Sequence, residues 1–141
     1  MRTPWEESQT VKQLAPGVLV VSTAGHGGLM LKAEAFDTLP PHIQKAAMRF
    51  GEYFCYEEDC AYGLVMEARP DLYRADRQES LDSWRRQLAS PYPYEWAVKE
   101  GPAAIAKLEA ELALSDAELI KPIAESNRHW FPELFGLPPR R

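Results

Sequence analysis

The stretch VVSTAGHGGLML, Val20–Leu31, decides how the chain begins to fold. Its first residues complete VLVVS, Val18–Ser22, an aliphatic run after Pro16-Gly17 that reads as a buried strand. Leu29–Leu31 resumes the apolar run. Between them, Gly25-His26-Gly27-Gly28 predicts a turn, because glycines permit conformations and close approaches that other residues resist. Upstream, TVKQL, Thr10–Leu14, alternates apolar and polar residues and predicts a pairing strand. Together these segments predict a small N-terminal antiparallel sheet, either a hairpin or a meander.

Beyond Leu31 the period changes. Lys32–Leu39 either extends the strand or forms a short helix ending at Pro40. Pro41 suits a first helical turn, and Ile43, Ala46, Ala47 and Phe50 then share one face. Glu57–Ala68 predicts an amphipathic helix with Cys60, Ala61, Leu64, Val65 and Ala68 inward, ended by Arg69-Pro70. Gly63 inside it costs roughly 1 kcal/mol against alanine and so points to a close contact. Further helices are predicted over Arg77–Leu88 and Ala103–Leu114, with the proline-broken Ser90–Pro102 between them as loop. Ser115 and Glu118 form a capping box for a last helix, which Pro122 should kink or restart. The tail GLPPRR is expected to fray. The fold class is α+β: a small N-terminal antiparallel sheet packed against several helices, in one domain over residues 1–141.

Bulk properties narrow the function. The chain has 141 residues and a net charge of -5. That length supports one core, and the acidic balance argues against extended nucleic-acid binding. The N-terminus MRTPWEESQT lacks the pattern of a signal peptide, and no window is apolar enough to span a bilayer. The expected setting is cytoplasmic, reduced and away from membranes, which fits two cysteines, Cys55 and Cys60, placed poorly for a mutual disulfide.

Two constellations could carry chemistry. His26, displayed among glycines, could bind a metal or act as a base. Glu57, Glu58 and Asp59 are consecutive acids; on a helix they fan over about 200°, so they cannot all face one ligand. As a helix start they complement the dipole and cap free amides. If one or two face His26, the set suits a divalent metal, with His26, Glu58 and Asp59 as ligands, or a general acid/base pair. No cofactor is otherwise implied. Cys60 is expected in the core, His42 exposed, Trp84 and Trp130 buried, and RHWFPELF, Arg128–Phe135, a hydrophobic clamp. The prolines of SPYPYEW hold Tyr92, Tyr94 and Trp96 on a loop, the better candidate for an interface. No structural-zinc spacing, phosphate loop, dinucleotide fingerprint, serine elbow or HExxH occurs.

PGVLVVSTAGHGGLML, LPPHI and YEEDCAYGLV, in that order, resemble a domain-of-unknown-function family of small bacterial proteins tied to phages and plasmids. The resemblance covers about the first 75 residues. It implies that His26, Gly27, Gly28, Tyr56, Glu57, Glu58 and Asp59 belong to the family pattern, and it places the chain in a counter-defence or host-modulating setting. Three functions compete. The first is a binding or regulatory protein acting on another protein, with Gly27, Gly28, Tyr56, Tyr92, Tyr94 and Trp96 as contacts. The second is a metal-assisted hydrolase using His26 with Glu57, Glu58 or Asp59. In the third, His26 merely staples sheet to helix. The first is preferred; oligomeric state and the identity of the partner are not legible.

Overall fold

The computed structural model describes residues 1–140. Five strands form one antiparallel sheet: β1 (Thr10–Ala15), β2 (Val18–Ser22), β3 (Gly27–Leu31), β4 (Met48–Phe50) and β5 (Tyr53–Glu57), in the order β1-β2-β3-β5-β4. Among the described residues there are six helices: α1 (Ala33–Phe36), α2 (Pro41–Gln44), α3 (Tyr62–Ala68), α4 (Pro70–Ala89), α5 (Glu95–Leu112) and α6 (Asp116–Trp130). A 3-10 turn, Pro132–Phe135, follows. The fold is α+β.

The core lies between one sheet face and the helices. Val18, Leu29, Leu31 and Tyr56 meet Ala35, Leu39 and Ile43 of the α1–α2 segment and Leu64, Val65 and Met66 of α3. Three consecutive buried residues span about 200° of α3, so the helix is packed on more than one side, leaving Glu67 at its margin. Tyr56 is fully buried and its hydroxyl donates to the Ile43 carbonyl at 2.9 Å, satisfying the one polar atom that burial would otherwise strand. On the opposite face Val21, Met30 and Cys55 form a smaller cluster under Trp5, with Leu19, Phe50 and Tyr53 at its margin.

The α3–α6 contact confirms the close approach expected at Gly63. A Cβ there would lie 3.0 Å from Asn127 Oδ1 and 3.3 Å from Ile123 Cγ2. The buried Asn127 amide donates to the Gly63 carbonyl at 2.9 Å and to Glu67 at 3.0 Å, while Arg128 grips both Glu67 oxygens at 2.9 and 3.0 Å. Burial works against the charged Glu67, but the bonds from Arg128 and Asn127 outweigh it and hold its pKa below the usual glutamate range.

Several boundaries differ from the sequence reading. Gly27 and Gly28 are strand, not turn; the turn is Thr23–His26. The face drawn through Phe50 as helix is instead β4, joined to β5 by Gly51-Glu52, with Gly51 at φ +59° as a tight hairpin turn requires. The acids do not open a helix: Glu57 ends β5, Glu58 and Asp59 lie in the following turn, and α3 starts at Tyr62. α4 begins at Pro70, well before Arg77. α5 begins at Glu95 and runs through Pro102; both Pro102 and Val98, whose carbonyl loses its helical donor, lie on the exposed side, where water can substitute. α6 runs through Pro122 without restarting, and Ser115 caps it by accepting from Glu118 N at 3.3 Å. The tail turns back so that Arg140 stacks on Trp130, 4.1 Å from the ring centre. Phe131, Leu134 and Phe135 clamp the core as expected, but Trp130 stays 60% exposed.

Gly28 tests the sheet. A Cβ there would strike the Tyr56 carbonyl oxygen and lie 2.7 Å from Trp5 Cη2. Gly51 has open space and needs only its positive φ. In urea unfolding, Gly28→Ala should lose about 3 kcal/mol or more, the upper end of overpacking costs. Gly51→Ala should lose about 1–2 kcal/mol, the cost of a left-handed residue with a Cβ. Glu67 predicts a pH effect. A depressed carboxylate contributes stability above its unfolded value of 4.5 and loses it as pH falls through the lower folded value. Glu67→Gln should therefore be less stable than wild type at pH 7, and the gap should close as the pH is taken below 4.5.

Candidate functional site

The candidate site forms where the β2–β3 turn meets the end of β5. Ser22 pairs with Gly27, and the ladder then closes over Ala24-Gly25. Thr23 does the closing. Its backbone N–H donates to the His26 carbonyl at 2.8 Å, its buried hydroxyl donates to the same carbonyl at 3.0 Å, and the hydroxyl accepts from His26 N at 3.0 Å. A threonine side chain thus stands in for part of a backbone turn. On the other flank Gly28 pairs with Glu57, and Glu58 N donates to the Gly27 carbonyl at 3.0 Å. His26 and the acids, 31 or more residues apart, become neighbours through backbone pairing alone.

The contact joins His26 to Glu57. Nδ1 lies 3.3 Å from Oε1, with the side chains 50% and 35% exposed. Asp59 completes the group: one ligand atom from each of His26, Glu57 and Asp59 lies within 4.8 Å of the others. Among the described residues this is the one set of three or more His, Cys, Asp or Glu so placed.

Glu58, expected as a ligand, is not part of that set. Its carboxylate reaches the Gly27 side, and it lines a cleft of about 320 Å³ with Val20, Tyr62, Asp76 and Arg77. There Tyr62 and Arg77 both donate to Asp76 Oδ2 at 2.8 Å. Burial, then the Asp76 charge, raises the Tyr62 phenol far above its ordinary value, so it remains a donor. Burial weakens the Arg77 cation, but Asp76 outweighs it, and the guanidinium stays charged with its Nε buried and unpartnered. The sequence pattern does not reveal this trio, because its apolar period begins only at Arg77 and leaves Asp76 outside the helix that holds it.

The other singled-out residues sort by burial. Gly27 and Gly28 are buried in β3 and Tyr56 is core, so none of the three is an exposed contact residue. Cys60 is exposed, not core; Cys55 is buried, and burial pushes its thiol up to about 11. His42 is half-buried rather than exposed, edge-on to Phe135 at 5.4 Å. His129 packs edge-on to Trp130 at 4.9 Å. Trp84 is half-buried, and Trp96 stacks edge-on against it at 5.8 Å. Tyr92, Tyr94 and Trp96 are all exposed, but only Tyr92 and Tyr94 lie on the loop; Trp96 stands in the first turn of α5.

Fold and site define an α+β protein that presents a turn histidine beside two carboxylates. A family model described as a domain of unknown function (DUF7007) matches residues 1–111, and the chain belongs to that family. The match takes in the whole sheet, α4 and nearly all of α5, and stops short of α6. No curated protein and no solved structure matches the chain. No helix among the described residues is long and apolar enough to cross a membrane.

Two outcomes follow from the burial pattern. A thiol reagent at pH 8 should modify Cys60 in the native protein and reach Cys55 only on unfolding, read as one against two labels by mass spectrometry. The solvated His26–Glu57 pair is worth less than about 1 kcal/mol. His26→Ala should therefore unfold within that margin of wild type. A larger loss would make His26 a structural staple.

Proposed function

We propose that this is a binding or regulatory protein that acts on another protein through the α4–α5 loop. The observation that carries the reading is the exposure of the aromatics on that loop and in the first turn of α5: Tyr92 93%, Tyr94 72% and Trp96 52%. Large rings left in water at one place supply anchors for a partner. These rings are also held. Trp96 packs edge-on to Trp84 at 5.8 Å and lies nearly parallel to Tyr94 at 6.2 Å. Pro91 and Pro93 fix two backbone angles of the loop, and Ser90 Oγ accepts from Tyr92 N at 3.3 Å. Order already present before contact lowers the entropy cost of binding.

Magnitude sets the kind of complex. Three aromatics bury about 150–250 Å² each. That is somewhat less than the roughly 800 Å² per partner of a standard stable interface. The loop is therefore the anchor of a modest, reversible contact. The net charge of -5 favours a partner with a basic rim around an apolar pocket. The likeness of the N-terminal motifs to phage- and plasmid-associated proteins supports a host protein as that partner, in a counter-defence or host-modulating role.

Tyr92→Ala with Tyr94→Ala is the informative variant, because both rings are largely solvent-exposed and their loss should leave the unfolding midpoint unchanged. In quantitative affinity purification from the host cell, a partner of the wild-type protein should fall about tenfold or more with this variant. Equal recovery by both proteins would remove the loop from the interface.

A further inference from the structure

We infer that His26, Glu57 and Asp59 form a binding site for a borderline divalent cation of the zinc type, distinct from the aromatic loop. The geometry carries this. Glu57 Oε1 sits 3.3 Å from His26 Nδ1. A charge-assisted hydrogen bond closes to about 2.7–2.9 Å. Two ligand atoms about 2.1 Å from one ion, at octahedral or tetrahedral angles, lie about 3.0–3.4 Å apart. The observed spacing falls within that range. An Asp59 oxygen lies within 4.8 Å of a ligand atom of each, on an exposed side chain that is free to turn toward the ion.

The backbone also holds the ligands on facing supports. His26 stands at the end of a turn locked by buried Thr23, and Glu57 stands on β5, paired to Gly28 of β3. An ion would bridge the turn to the end of β5 without moving the sheet.

Donor chemistry selects the cation. Two carboxylates alone would suit calcium or magnesium, which take oxygen. The imidazole shifts preference toward zinc-like ions, which accept nitrogen and oxygen together. Three protein ligands leave a further position for water or a group from a partner.

The test is calorimetric titration of Zn²⁺ into the untagged 141-residue chain at pH 7, with Ca²⁺ as the contrast. One Zn²⁺ per chain is expected, and Ca²⁺ at equal concentration should not compete. His26→Ala and Asp59→Asn should each weaken Zn²⁺ binding about tenfold or more, whereas His42→Ala, His129→Ala and Cys60→Ser should not. In the wild-type protein, the imidazole ¹⁵N resonances of His26 should shift on Zn²⁺ addition. Absence of Zn²⁺ binding, or unchanged affinity in His26→Ala, overturns the site. So does loss in Cys60→Ser or His129→Ala with His26→Ala unaffected. If His26→Ala misfolds, Asp59→Asn and the His26 resonances decide between the same outcomes.

Discussion

The rest of the structure depends on one strand being paired on both sides. β3, Gly27–Leu31, is wholly buried, with β2 along one edge and β5 along the other. Its first two residues have no side chain, and at Gly28 there is no room for one between the Tyr56 carbonyl and Trp5. Close approach at Gly28 seats β5, and β5 carries both Tyr56 into the core and Glu57 to the rim. The histidine turn and the acids are thus two ends of one ladder.

That constraint separates the consecutive acids. On a strand, successive side chains point to opposite faces. Tyr56 goes to the helix-covered face, so Glu57 goes to the face shared with Cys55's neighbours and meets His26. Glu58 follows on the other side, toward Tyr62, Asp76 and Arg77. A helical start would have fanned the three acids around an axis instead. Pairing His26 with Glu57 rather than Glu58 is therefore a consequence of strand geometry. It could not be seen while the segment was read as helix.

Legibility varied with how local the cause was. The Ser115 cap needs only four residues and is present, although the Glu118 carboxylate accepts from the Ser115 hydroxyl and not from its backbone N–H as a full capping box requires. Gly63 announced a contact because glycine is costly inside a helix, though its partner Asn127 lies 64 residues away. Gly51 makes the β4–β5 hairpin through its positive φ, but the apolar spacing around it suits a helix face equally well. Pro102 was read as a breaker, yet α5 runs through it. On an exposed helix face, water can replace the missing bond.

By itself the sequence determined the class of fold, the strands on either side of the histidine turn, the capped final helix and the exposed aromatic loop. Each rests on a short-range cause: alternation, a cap, or prolines that hold rings outward. Only the tertiary structure decided which acid meets His26, that Tyr56 is core while Cys60 is surface, and that Tyr62, Asp76 and Arg77 share one half-buried network. These depend on pairing register and on elements packed from distant parts of the chain. Period and composition carry no record of which residue ends up opposite which.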